Sequence, residues 1–121
     1  MKVSRFTIPI YGYTVIYIKS DDQIGEDVMV KRALKEVKAK DDQIVDTIRR
    51  MNDRMGGGEH YYNPDLLKSV IVIFSSKSKK QKICTIAHEK RHLEDAILET
   101  LGIKDREAAG YLAGYLAEKL R

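Results

Sequence analysis

Cysteine, proline and tryptophan are scarce in this chain of 121 residues, which has one Cys, two Pro and no Trp. The single cysteine, Cys84, cannot form an internal disulfide, and a zinc ribbon would need several cysteines. No apolar run approaches the roughly 20 residues of a membrane-spanning helix, and no signal-peptide pattern is recognisable. These absences argue against a disulfide-bonded secreted domain and against a membrane protein, so we expect a cytoplasmic protein.

Charged residues are abundant, at 33% of the chain, beside a normal hydrophobic share of 43%. Disordered chains combine high charge with few apolar residues, so this composition predicts a folded protein. The length predicts a single domain over residues 1–121. The net charge of +4 permits a nucleic-acid partner but does not require one.

Two segments have the composition of β-strands. Residues 3–19 are rich in β-branched and aromatic side chains and are interrupted by Pro9 and Gly12, which predicts two short strands or one bent strand. Residues 70–74 form a continuous apolar run, which is typical of a strand covered on both faces. Between them, residues 59–64 predict a loop or an irregular strand.

Apolar residues at helical spacing predict four helices. The helices cover residues 26–39, 42–55, 78–101 and 106–120. Asp41 and Asp42 are expected to cap the second helix, Ser78 the third and Asp105 the fourth, while Gly102 ends the third. We therefore expect an α+β domain, with a short sheet packed against helices and a long penultimate helix.

That penultimate helix contains the motif HExxH, formed by His88, Glu89 and His92. Residues four apart lie one above the other on a helix face, so the two imidazoles can bind one metal ion. In peptidases of this design the glutamate acts as general base on a water molecule, and the metal lowers the pKa of that water. The motif predicts zinc on His88 and His92, with Glu89 as catalytic base.

A third protein ligand is expected, because catalytic zinc usually has three. Glu107 is the first choice, since it lies fifteen residues after His92 and a turn at Gly102 can fold its helix back. Asp95 is the alternative, with Glu99 one turn further along the same helical stripe.

The last third of the chain resembles known metalloproteins. HExxH on one helix and a glutamate on the next resemble the gluzincin group of zinc metallopeptidases. Residues 86–92, 97–103 and 107–112 are similar to small zincin-like proteins encoded by phages and bacterial mobile elements. The resemblance implies a zincin-like domain, Glu107 as third ligand, and Tyr111 as a hydrogen-bond donor to a ligand or an oxyanion. A core position for Tyr111 is the alternative.

Three functions follow from these residues. The leading one is a zinc metallopeptidase acting on a peptide or protein substrate. The second is a non-catalytic, zinc-stabilised module that binds a partner protein. The third is a small basic nucleic-acid-binding protein, which we consider the weakest because the six basic residues between Lys77 and Arg91 have no interleaved aromatic residues.

The segment after three consecutive glycines, residues 59–62, has two interpretations. It can be an edge strand beside the metal, with His60 or Tyr61 reaching the site and an extended substrate paired to it. It can also be an ordinary connection with a surface histidine, which is the interpretation that we favour.

Overall fold

The computed structural model describes residues 2–21, 26–53, 56–76 and 78–121. Within this part of the chain the strands are β1 (Lys2–Ile8), β2 (Tyr13–Lys19), β3 (Gly58–Asn63) and β4 (Lys68–Ile73). The helices are α1 (Glu26–Glu36), α2 (Asp41–Asn52), α3 (Lys79–Leu101) and α4 (Arg106–Lys119). The predicted α+β class is therefore confirmed.

The four strands form one mixed sheet in the order β1-β2-β4-β3. β1 and β2 are an antiparallel hairpin, so the segment around Pro9 and Gly12 is a turn between two strands and not a bend in one. β2 and β4 run parallel, whereas β3 runs antiparallel to β4. β3 consequently lies at the edge of the sheet, in the segment for which the sequence left a loop or an irregular strand open.

Helices cover both faces of the sheet, because β2 and β4 present apolar side chains alternately to each face. The core on one face joins the sheet to α3 and α4 and includes Tyr13, Val15, Tyr17, Ile71, Ile73, Leu93, Ile97, Leu112 and Leu116. The core on the other face joins it to α1 and α2 and includes Ile16, Ile18, Val30, Leu34, Ile44, Val70, Val72 and Phe74. The prediction that residues 70–74 are covered on both faces is confirmed.

The ends of α3 and α4 agree with the predictions. The Ser78 hydroxyl accepts a hydrogen bond from the Gln81 N–H, and Gly102 ends α3 in the left-handed region at φ 66°. Asp105 caps α4 by accepting from the Glu107 N–H. Local side-chain and glycine chemistry is sufficient to define these helix ends.

The ends of α1 and α2 differ from the predictions. α1 ends at Glu36 because Lys38 adopts φ 58°, a left-handed conformation that the helix cannot continue through. The N-cap of α2 is Lys40, so the expected cap at Asp41 and Asp42 is wrong; both belong to the first turn, where carboxylates favour the helix dipole.

Some sequence predictions fall on residues that the structure does not describe. The proposed continuation of α2 to Met55 and the basic residue Lys77 lie outside the described ranges. Among the described helices, none has a stretch long and apolar enough to cross a lipid bilayer.

Candidate metal centre and catalytic cavity

The edge strand β3 approaches α3 very closely at Gly58. A Cβ atom at this position would lie 2.9 Å from the Val72 carbonyl oxygen, and 3.1 Å from both Glu89 Cγ and Thr85 Cγ2. Real Cβ atoms do not approach other atoms to under 3.0 Å. The missing side chain therefore lets the start of β3 lie directly against the helix turn that carries Glu89.

His88 and His92 form a close imidazole pair on the exposed side of α3. Their Nε2 atoms are 3.0 Å apart, and the ring centroids are 4.6 Å apart with the planes at 79°. The spacing of four residues places one ring above the other, as the motif predicts. Both side chains are exposed.

The pair fits part of a zinc site. Two nitrogen ligands of one tetrahedral zinc, each about 2.0–2.1 Å from the ion, are separated by about 3.3 Å. The observed 3.0 Å between the Nε2 atoms is within a few tenths of an ångström of that value. Within the described residues, however, no group of three His, Cys, Asp or Glu side chains converges on one point. The pre-arranged donor set is thus the two imidazoles.

Glu89 occupies a different environment from its two neighbours in the motif. It is only 5% exposed, and no described residue donates a hydrogen bond to its carboxylate. Burial raises the pKa of Glu89 above its usual value, and the nearby His92, His88 and Arg50 partly oppose this shift. Arg50 itself is paired with Glu59 and lies 5.2 Å above the Phe74 ring.

Glu89 and the two imidazoles share one cavity of about 390 Å³ between β3 and α3. The cavity is lined by Gly58, Glu59, His60, Tyr62, His88, Glu89 and His92. The structure therefore brings together the three residues of the motif, and adds an edge strand as the opposite wall.

His60 is a functional candidate for which the sequence analysis favoured the wrong interpretation. It is not an ordinary surface histidine, because it is partly buried and lines the cavity, and its Nε2 lies 2.9 Å from the Ser69 hydroxyl. Burial, with a smaller effect of His92, lowers the pKa of His60 to about 4. In a strand, residues two apart lie on the same face, so His60 lies on the face of Gly58. This spacing would have indicated the position of His60 if residues 58–63 had been predicted as a strand.

Glu107, Tyr111 and Asp95 are not among the described residues that line this cavity. Glu107 is exposed in the first turn of α4, and Tyr111 is 74% exposed one turn later. Asp95 is exposed, and its Oδ1 lies 3.6 Å from Arg91 Nε. The core position considered for Tyr111 is wrong, whereas the site roles of these three residues stay predictions.

The basic stretch of α3 is partly neutralised by its own helix. Lys90 and Arg91 are both paired with Glu94, and Arg91 also faces Asp95. Lys79 and Lys80 remain exposed at the start of the helix. Two of the six basic residues in this stretch are therefore engaged by carboxylates of the same helix.

Comparison with protein-family models, with curated proteins and with solved structures finds no match to this chain. Any inference about function consequently depends on the chemistry of the cavity.

Proposed function

We propose that this protein is a zincin-like, zinc-dependent peptidase with its active site in the cavity between β3 and α3. His88 and His92 would hold the zinc ion, and Glu89 would act as general base. Glu107 is the proposed third ligand, with Asp95 as the alternative. The observation that carries the proposal is that Glu89, a residue only 5% exposed, shares one cavity with the imidazole pair.

Glu89 combines low exposure with a position on the wall of the cavity. Titratable groups in clefts whose pKa is shifted by burial and by neighbouring charges are concentrated at functional sites. The raised pKa of Glu89 also makes it a stronger base than an exposed glutamate once it is ionised.

The separate roles of zinc and Glu89 follow from the positions of His88, His92 and Glu89. Zinc, when bound, supplies Lewis-acid chemistry: it polarises a carbonyl group and lowers the pKa of water. Glu89 then takes the proton from the attacking water and passes it to the departing amine. The low exposure of Glu89 keeps bulk water away from that proton while the cavity stays open to a substrate.

β3 is suited to hold an extended peptide. Among the described strands only β4 pairs with it, so its other edge is available for backbone hydrogen bonds with an added strand. A peptide paired to this edge would lie along the wall of the cavity that faces His88 and His92. This arrangement supports peptides over small soluble esters as the substrate class.

Metal analysis and proteolysis test the proposal. We expect about one zinc per chain, lost in His88→Ala and His92→Ala, and hydrolysis of fluorescein-labelled casein by the zinc-loaded protein. Glu89→Gln should retain zinc and lose hydrolysis by about 10²-fold or more, the range found for general acid–base groups. Glu118→Gln is the matched control, because Glu118 is an exposed helical glutamate of α4 with no proposed role in the site.

The outcomes separate the competing functions. Zinc binding without hydrolysis that depends on Glu89 would favour the non-catalytic, zinc-stabilised module. If the protein contains no zinc, and if the double variant His88→Ala, His92→Ala folds like the wild type, both the peptidase and the zinc-stabilised module are refuted. Zinc titrations of Glu107→Gln and Asp95→Asn identify the third ligand, because loss of a ligand weakens zinc binding and loss of a neighbouring carboxylate has a smaller effect.

A further inference from the structure

A buried chain of hydrogen bonds connects the core of the sheet to the cavity. The Tyr13 hydroxyl lies 2.7 Å from the Ser69 hydroxyl, and the Ser69 hydroxyl lies 2.9 Å from His60 Nε2. Tyr13 and Ser69 are both 0% exposed. The three residues come from β2, β4 and β3, so the chain crosses three neighbouring strands on the α3 face.

The numbers of donors and acceptors determine the direction of these hydrogen bonds. Each hydroxyl has one proton to donate, and a neutral imidazole has one N–H and one acceptor nitrogen. Within the described part of the molecule, the Tyr13 hydroxyl has no hydrogen-bond partner except Ser69. If Tyr13 donates to Ser69, and Ser69 donates to His60 Nε2, all buried protons are satisfied. In the opposite direction the Tyr13 proton is buried without an acceptor, which costs about 1–3 kcal/mol.

The favoured direction determines the tautomer of His60. Its Nε2 accepts from Ser69, so the ring proton is on Nδ1. Burial lowers the pKa of His60 to about 4, and the ring is consequently neutral at neutral pH. Tyr62 stacks on the imidazole at 5.5 Å, with the planes only 5° apart, and restricts its rotation. His60 thus has one free donor in a fixed ring that lines the cavity of Glu89.

We propose that the Nδ1–H of His60 donates a hydrogen bond to the carbonyl oxygen of the peptide bond that is cleaved, with Ser69 and Tyr13 as positioning residues. This inference rests on the proposed peptidase function. The donor would stabilise the negative charge that develops on this oxygen when water attacks, and would keep its own proton throughout. Removal of one such donor typically lowers kcat by about 10²–10³-fold.

The tautomer can be measured without substrate and without activity. Nitrogen-15 NMR of the metal-free wild-type protein at pH 7 should show His60 protonated on Nδ1, with an acceptor-type Nε2 signal. Ser69→Ala should remove this preference, and Tyr13→Phe should weaken it. Tyr61→Phe is the matched control, because its hydroxyl bonds to Thr47 instead, at 2.6 Å. A His60 ring protonated on Nε2 in the wild-type protein would overturn the proposal.

Kinetics test the role of the donor. With fluorescein-labelled casein, His60→Leu should lower kcat by about 10²-fold or more with little change in KM and unchanged zinc content. His60→Gln, which keeps an N–H donor, should recover part of kcat. Circular dichroism verifies that each variant is folded, and Ser69→Ala provides a second, milder perturbation.

The possible results distinguish this inference from the function on which it rests. If hydrolysis depends on Glu89 but His60→Leu retains the wild-type kcat, the donor role is wrong and the peptidase function stands. If His60→Leu loses zinc, His60 is a ligand and the donor role is overturned. If the wild-type protein shows no hydrolysis that depends on Glu89, both proposals fail, whatever the tautomer.

Discussion

Gly58→Ala should disrupt the contact between β3 and α3 more than its single methyl group suggests. The added Cβ would lie 2.9 Å from the Val72 carbonyl oxygen, which belongs to the neighbouring strand and cannot rotate away. Two further contacts at 3.1 Å would form with Glu89 Cγ and Thr85 Cγ2 of α3. The methyl group is enclosed by backbone and helix, so β3 and α3 have to separate by several tenths of an ångström.

The magnitude follows from two opposing contributions. Overpacking of one methyl group costs about 1–3 kcal/mol when the neighbours cannot relax freely. Replacing glycine by alanine recovers about 0.4–1 kcal/mol, because the unfolded chain loses conformational freedom. The net loss in the free energy of unfolding is therefore about 0–2.6 kcal/mol, with a middle value of about 1.3 kcal/mol. That middle value lowers the melting temperature by roughly 5 °C.

Urea and thermal unfolding of matched glycine variants measure this effect. Gly110 lies within α4, and a Cβ there meets nothing within 4 Å, so Gly110→Ala should stabilise the protein by about 0.5–1 kcal/mol. Because Glu89 must move in Gly58→Ala, hydrolysis of casein should also fall in that variant and not in Gly110→Ala. A Gly58→Ala protein stabilised as much as Gly110→Ala would refute the close approach of β3 to α3.

Two other predictions concern acid stability and the core. The lowered pKa of His60 means that the unfolded state binds more protons between pH 6.5 and about 4, so stability is complete above pH 6.5 and falls by about 3 kcal/mol towards pH 4. The raised pKa of Glu89 changes the pH dependence of stability in the opposite direction. The effect of His60 is therefore isolated by comparing urea unfolding of the wild-type protein and of His60→Gln in EDTA. Identical pH dependences of the two proteins would contradict the lowered pKa of His60. Leu93 is 0% exposed, so Leu93→Ala should lower the free energy of unfolding by about 2–5 kcal/mol. Val45 is 68% exposed, so Val45→Ala should change it by no more than about 0.5 kcal/mol in the same assay.

Local signals in the sequence were sufficient for much of the architecture. Ser78 and Gly102 mark the two ends of α3 through a side-chain acceptor and a left-handed φ, which need no tertiary partner. The apolar run of residues 70–74 identified the covered strand, because a strand with helices on both faces has no polar side. These features depend on neighbours within one turn or one strand, so the pattern and the structure agree.

Features that depend on distant partners were harder to predict. β3 begins at the third of three consecutive glycines and is rich in polar aromatic residues, and only its pairing with β4 makes it a strand. Lysine is not a preferred N-cap residue, so Lys40 was not recognised as the cap of α2. The nearby aspartates led to a predicted cap one or two residues too late. His60 was misjudged for the same reason, because its neighbours Ser69 and Tyr13 are remote in sequence.

The sequence by itself determined the imidazole pair of the candidate site. The spacing of His88 and His92 on a helix is enough to bring their Nε2 atoms to 3.0 Å, because helix geometry is local. Tertiary structure alone decided the burial of Glu89 and the addition of His60, since both depend on where β3 packs against α3. It also leaves Glu107 and Tyr111 outside the cavity, because a helix–turn–helix spacing does not specify the angle at which the second helix packs.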